Sequence, residues 1–238
     1  MARRTKEEAQ QTRGHIMNTA LDLFCSQGLA KTSLTDIARA ADLTRGAIYW
    51  HFKNKDELFI SLWEELCSPL AHQLDACLNP DEPDPLGQLR LFFEGVLHSF
   101  IHNPAQRQMF TILFNLESLE GEAISLREHI RSQSGQLFRD LETTLANAIR
   151  RGQLPADLNL QRAATLLHCT LDGYIINWLH FPGRIDLQSE SGFLIESMFT
   201  MLASPTGLPA ATNRFRQSQH IPANRGLSAR FGSQAPIC

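Results

Sequence analysis

The stretch TSLTDIARAADLTRGAIYWHFKNKDELF, residues 32–59, decides the fold. Ser33 followed three residues later by Asp36 is a variant of the capping box. Leu34, Ile37, Ala38 and Ala41 then recur at the i, i+3, i+4, i+7 spacing of one buried helix face. A short amphipathic helix therefore starts near Leu34, and its small alanines let another helix approach closely. Asp42-Leu43 interrupts the pattern, and Thr44 offers an oxygen to cap a second helix over Arg45 to about His51. In that helix Ala47, Ile48 and Phe52 turn inward with Leu43, whereas Arg45, Gly46, Tyr49 and Trp50 turn out. Upstream, Ile16, Ala20, Leu23 and Phe24 keep helical spacing as far as Gly28, a good C-terminal cap, so a first helix buttresses the hairpin.

An outward face of one guanidinium, two aromatic rings and a glycine gap suits a duplex major groove. There Arg can bond two acceptors on a guanine edge, and Tyr, His and Thr can bond phosphate oxygens. The competing reading is a plain helical hairpin on a soluble enzyme, since such hairpins are common. The residues themselves weigh against it. TRGAIYWHFKNKDELF resembles the recognition helix and following helix start of the TetR family of bacterial repressors, and more narrowly its AcrR-like branch of efflux-pump regulators; the resemblance runs from MARRTKEEAQQTR to about Leu202.

The resemblance implies an all-α fold of about nine helices. Residues 1–55 are expected to form a three-helix helix-turn-helix DNA-binding domain, and residues 56–203 a helical ligand-binding and dimerisation domain. It also implies a homodimer on a palindromic double-stranded operator, released by a small lipophilic or cationic inducer and controlling a multidrug efflux pump. Thr32, Ser33, Thr44, Arg45, Gly46, Tyr49, Trp50, His51 and Lys55 are the residues expected at DNA, with Lys55 placed where a helix start faces a phosphate. The basic arm of Arg3, Arg4 and Lys6 is either a further DNA contact or a solvated terminus.

Composition agrees with a DNA-reading head on an acidic body. Net charge is −3, but residues 1–60 hold nine Lys/Arg against seven Asp/Glu, residues 61–203 nine against eighteen, and residues 204–238 four against none. No apolar run reaches the ~18 residues of a membrane helix, and MARRTK leads into EEAQQTR instead of an apolar signal segment, so no membrane association and a cytoplasmic location are expected. Five cysteines without CxxC or Cys/His ligand spacing favour reduced thiols over disulfides or zinc, with an oxidation sensor as the alternative. No Ser/His/Asp series, metal spacing or phosphate-binding glycine loop appears, so neither an enzyme nor a cofactor is expected.

Asp56-Glu57 open a long helix carrying Leu58, Leu62, Leu66, Leu70 and Leu74 to about Leu78, where NPDEPDP breaks the chain. One helix thus joins both domains. From Leu86 to Leu202 the pattern predicts about five more helices, punctuated at Asn103-Pro104, Glu120-Gly121, Gly152 to Pro155 and Pro182-Gly183. Leu89, Phe92, Phe93, Val96, Leu97 and Phe100 crowd one helix, and Phe110, Leu113 and Phe114 the next. Such stripes are ordinarily core; the family resemblance makes them walls of a pocket for lipophilic compounds.

A second match to the family is RAATLLHCTLDGYIINWLHFPGRIDL, residues 162–187. Asp172 on this apolar helix must reach water, find a donor or face a cavity, because burying it unpaired is costly. His168, one turn earlier, could pair with it. The expected ligand contacts are Leu66, Leu70, Phe93, Val96, Phe110, Phe114, Leu137 and Ile175, with polar help from Asp172, Glu117 and His168. Where several relatives carry FHKCEF or HHKCEF, this chain has Phe114-Asn115-Leu116-Glu117-Ser118-Leu119, which predicts a greasier, more aromatic pocket. Residues 204–238 lose the helical pattern, are rich in Pro, Gly, Ser, Asn and Gln, and are expected to be disordered. A DNA-binding regulator without a ligand, whose stripes are only core, is the alternative; a cavity on the order of 300 Å³ or more separates the two.

Overall fold

The computed structural model describes residues 6–115, 124–181 and 183–203. Among them run nine α-helices: α1 (Lys6–Gln27), α2 (Leu34–Ala40), α3 (Arg45–His51), α4 (Lys55–Leu78), α5 (Pro85–His102), α6 (Pro104–Asn115), α7 (Ile124–Arg150), α8 (Leu160–His180) and α9 (Leu187–Ala203). The expected breaks at Glu120-Gly121 and Pro182, and the tail from residue 204, lie outside the described residues.

Local chemistry sets the helix ends. Gly28 terminates α1 at φ 86°, with its N–H on the Phe24 carbonyl at 3.0 Å, a backbone region that a side chain would strain. Ser33 caps α2: its hydroxyl accepts the Asp36 N–H, while the Asp36 carboxylate accepts the Ser33 N–H at 3.1 Å. Donation to the Asp36 carboxylate by the Ser33 hydroxyl, and then by the Ser33 N–H, holds its pKa below the ordinary carboxylate value. Helix α2 ends in a Schellman turn, with Leu43 N–H on the Ala38 carbonyl at 2.9 Å, Asp42 N–H on the Arg39 carbonyl at 3.3 Å, and Asp42 itself at φ 53°. Thr44 caps α3 through the Ala47 N–H. Asn54 caps α4 through the Glu57 N–H, and the Glu57 carboxylate returns to the Lys53 N–H at 2.8 Å.

Two apolar cores share two long helices, α4 and α7. In the first, Ile16, Met17, Ala20 and Phe24 of α1, Ile37 and Ala38 of α2 and Ile48 of α3 close on Leu58, Phe59 and Leu62 of α4. Met109 and Ile112 of α6 and Leu126 of α7 complete it. The second gathers Leu74 and Cys77 of α4 with Phe93, Leu97 and Phe100 of α5, Leu141 and Leu145 of α7, Leu167 and Ile175 of α8, and Ile195 and Phe199 of α9. Pro69 lies inside α4, between the stretches that serve the two cores. A proline there removes one backbone hydrogen bond and crowds the preceding turn, so the connecting helix is weakest midway. Just upstream, the buried Gln106 side chain of α6 donates to the Leu66 carbonyl at 3.5 Å.

Candidate nucleic-acid interface and ligand cavity

On α3 the split of faces follows the sequence expectation. Ile48 and the following Phe52 are buried, while Thr44, Arg45, Gly46, Tyr49 and Trp50 are exposed and His51 is half-buried. Trp50 is 71% exposed and Tyr49 45%, unusual for large aromatic rings with no apolar cover. The Arg45 guanidinium lies 5.4 Å from the Tyr49 ring centroid, and the Trp50 indole meets His51 edge-on at 4.5 Å. Two anchors fix the helix beneath: the His15 ring lies 3.0 Å from the Ala41 carbonyl at the turn, and the Arg13 guanidinium covers Phe52 at 4.9 Å.

Two residues expected at DNA are placed otherwise. Thr32 is buried, and its hydroxyl donates to the Gly28 carbonyl at 2.9 Å, closing the loop between α1 and α2. A buried hydroxyl satisfied by a backbone acceptor is a structural group. Lys55 is half-buried and donates Nζ to the Leu29 carbonyl at 2.8 Å, tying that same loop to the start of α4. Ser33 is exposed, but its side chain is engaged in capping α2.

A cavity of about 570 Å³ opens beside the second core. Its apolar wall comes from Trp63, Cys67 and Leu74 of α4, Phe92, Phe93, Val96 and Phe100 of α5, and Phe110, Leu113 and Phe114 of α6. Phe110 is the hub of this wall, with ring centroids at 4.5 Å from Phe100, 5.4 Å from Trp63 and 6.0 Å from Phe114. Leu137 and Leu141 of α7 and Leu171 and Ile175 of α8 close the far side, where His168 and Asp172 also face the space. His168 Nδ1 is 3.0 Å from Asp172 Oδ2, and its ring stacks on Phe138 at 4.6 Å and 18°. Asp172 thus both faces the cavity and has a partner, the two readings the sequence left open.

Of the expected ligand contacts, Phe93, Val96, Phe110, Phe114, Leu137, His168, Asp172 and Ile175 line the cavity. Leu66 instead packs against the first core, one helix position away from the cavity face that Trp63 and Cys67 occupy. The Leu70 side chain and Glu117 lie outside the described residues. Burial pushes the Cys67 thiol up to about 12 and Cys77 to about 11, so at neutral pH both are protonated and poorly nucleophilic. For these two positions that chemistry disfavours the oxidation-sensor alternative.

A fold of this kind, with a capped helix-turn-helix at one end and a hollow helical body at the other, has counterparts among known proteins. The family described as "Bacterial regulatory proteins, tetR family" matches residues 16–62, and "MAATS-type transcriptional repressor, C-terminal region" matches residues 84–204. The chain belongs to the TetR family of bacterial transcriptional regulators. It is 39% identical over 215 residues to the HTH-type transcriptional regulator AcrR of Shigella flexneri, covering 90% of this chain and 100% of AcrR. Its structure resembles NalD, the secondary repressor of the MexAB-OprM multidrug efflux pump in Pseudomonas aeruginosa, with a TM-score of 0.72 at 29% identity over 86% of this chain and 98% of NalD. SmeT, the repressor of the Stenotrophomonas maltophilia pump SmeDEF, in its triclosan complex gives a TM-score of 0.74 at 26% identity, over 85% of this chain and 97% of that one.

In this TetR-family chain the sequence reading missed the polar wall of the cavity. Arg127, Arg131, Gln133, Ser134, Gln136 and Asp140 of α7 and Asp75 of α4 face it, so it is aromatic on one side and charged on the other. The signal was present in α7 as Arg127, Arg131 and Ser134, polar residues at helical spacing one turn before Phe138 and Leu141. A polar stripe on a long helix is read by default as the solvent face.

Proposed function

We propose that this TetR-family chain is a ligand-responsive repressor that grips a palindromic operator as a homodimer and is released by lipophilic compounds, in the cytoplasm, at a multidrug efflux operon. The supporting observation is the cavity of about 570 Å³, within the range of drug-sized binding sites, walled by α6, the helix that also closes the first core. Met109 and Ile112 of α6 are buried in the core of the head, where α6 lies against α1, while Phe110, Leu113 and Phe114 of the same helix face the cavity. A ligand that displaces Phe110 therefore pushes on the support of the DNA-reading head. The efflux assignment rests on the relatives' efflux-pump repressors, and the SmeT–triclosan complex supports the lipophilic class of inducer.

Arg45, Tyr49 and Trp50 present the sequence-reading surface, with Thr44 and His51 on flanking phosphates and Gly46 allowing close approach. Dimerisation through α8 and α9 places two such surfaces on one side of a duplex. It draws support from Phe181 at 56% and Phe193 at 65% exposure, and from Gly173 and Gly192, above which the space is open to a neighbouring helix. An operator-shift assay with the intergenic DNA beside this gene, titrated with dyes, antibiotics and detergents, tests the proposal. A specific complex dissolved by some of these compounds supports it. A specific complex that no compound dissolves, with no binding by calorimetry, makes a ligand-free regulator the better reading.

A further inference from the structure

The cavity's His168–Asp172 pair has a geometry with consequences for what the cavity accepts. Both residues sit on α8 one turn apart, with His168 Nδ1 3.0 Å from Asp172 Oδ2 and the imidazole lying flat on Phe138. The His168 side chain is 17% exposed and that of Asp172 36%, so the carboxylate is the more open of the two to an incoming molecule. The other charged groups facing the cavity are Asp75 of α4 and Arg127, Arg131 and Asp140 of α7; α5 and α6 present only apolar side chains there. Carboxylates and guanidinium groups ordinarily titrate well outside pH 6–8, whereas histidine is the side chain whose ordinary protonation falls within that window.

We propose that His168 is a built-in, proton-controlled competitor for Asp172, so that the cavity takes lipophilic cations above neutral pH and loses that preference below it. This rests on the reading of the cavity as an inducer site. When His168 is neutral, its Nδ1–H donates one hydrogen bond and Asp172 keeps its full negative charge for a ligand cation. When His168 is protonated, the imidazolium neutralises Asp172 from within hydrogen-bond distance, and its face is stabilised against Phe138 by a cation–π contact. A bound cation and the proton on His168 then repel each other. By linkage the cation expels the proton, and lower pH weakens the cation. A neutral lipophile has no such stake in the pair.

The test uses the full-length protein and two probes, the permanent lipophilic cation tetraphenylphosphonium and the neutral N-phenyl-1-naphthylamine. Affinity is measured from pH 6 to pH 8, with calorimetry in two buffers of different ionisation enthalpy to count protons. The proposal expects tetraphenylphosphonium to bind severalfold more tightly at pH 8 than at pH 6, releasing protons in between, while the neutral probe stays flat. In His168→Gln the slope and the proton release disappear for the cation; in Asp172→Asn the cation binds more weakly at pH 8, where the intact protein offers it an uncompensated carboxylate. A flat or inverted slope for the cation, or a slope that survives in His168→Gln, overturns the proposal. If neither probe binds at any pH, the inducer-site reading falls and takes the proposal with it. If both bind without releasing operator DNA, only the sensing function falls, and the pH slope still decides the role of His168.

Discussion

Ser33 and Asp36 hold each other through reciprocal hydrogen bonds at the start of a helix only seven residues long, in which capping is a large share of what keeps the helix formed. Ser33→Ala is expected to cost about 1 kcal/mol of global stability, read as a shift of the denaturant midpoint; no shift would mean that packing alone holds α2. The Asp36 pKa is lowered in the folded state, so its contribution is fully present at neutral pH and is lost as pH falls below the ordinary carboxylate range through the lowered value. Arg45 is exposed beside Tyr49 on the face proposed to meet the groove. Arg45→Ala is expected to weaken the specific site by about 1 to 3 kcal/mol and to relax base preference, measured by anisotropy on operator and random duplexes. An equal loss on both duplexes would assign Arg45 to phosphate instead. The caps and this outward face were legible because a cap or an exposed helix position depends on neighbours three or four residues away. Thr32 and Lys55 were not, because their partners are the carbonyls of Gly28 and Leu29 in a loop whose path only the packed head defines.

Helix α6 makes the element-scale argument, since neighbouring residues on it serve different spaces. Met109 is fully buried in the core of the head, and Phe110 stands in the aromatic wall of the cavity. Met109→Ala is expected to cost about 2 to 5 kcal/mol in thermal or denaturant unfolding, as a cavity in a close-packed core does. Phe110→Ala is expected to change chiefly the ligand concentration that half-releases the operator. If the two substitutions had the same signature, α6 would not divide its faces between head and cavity. The sequence placed Phe110 and Phe114 in one stripe, but the stripe alone could not tell a core from a hollow, because both ask for the same apolar spacing. Helix α7 shows the converse: its polar stripe lines the cavity, and only the packing of α4, α5 and α8 around it turns that face inward.

At the scale of the whole molecule, the positive head, the acidic body and the exposed Phe181 at the end of α8 and Phe193 of α9 fit a two-fold dimer that presents two recognition helices to one side of a duplex. Phe193→Glu is expected to shift sedimentation toward the monomer at micromolar concentration and to lower operator affinity with it; a monomer that binds the operator undiminished would contradict the dimer. In the proposed mechanism one molecule couples a ligand in the cavity to the grip on DNA. Coupling is reciprocal, so whatever factor a ligand takes from operator affinity the operator must take from ligand affinity. The decisive measurement is therefore calorimetric titration of a releasing compound into the free protein and into the preformed operator complex. The account predicts binding weaker by roughly 5- to 150-fold in the complex, the range of a 1 to 3 kcal/mol coupling; equal affinity in the two titrations would contradict it.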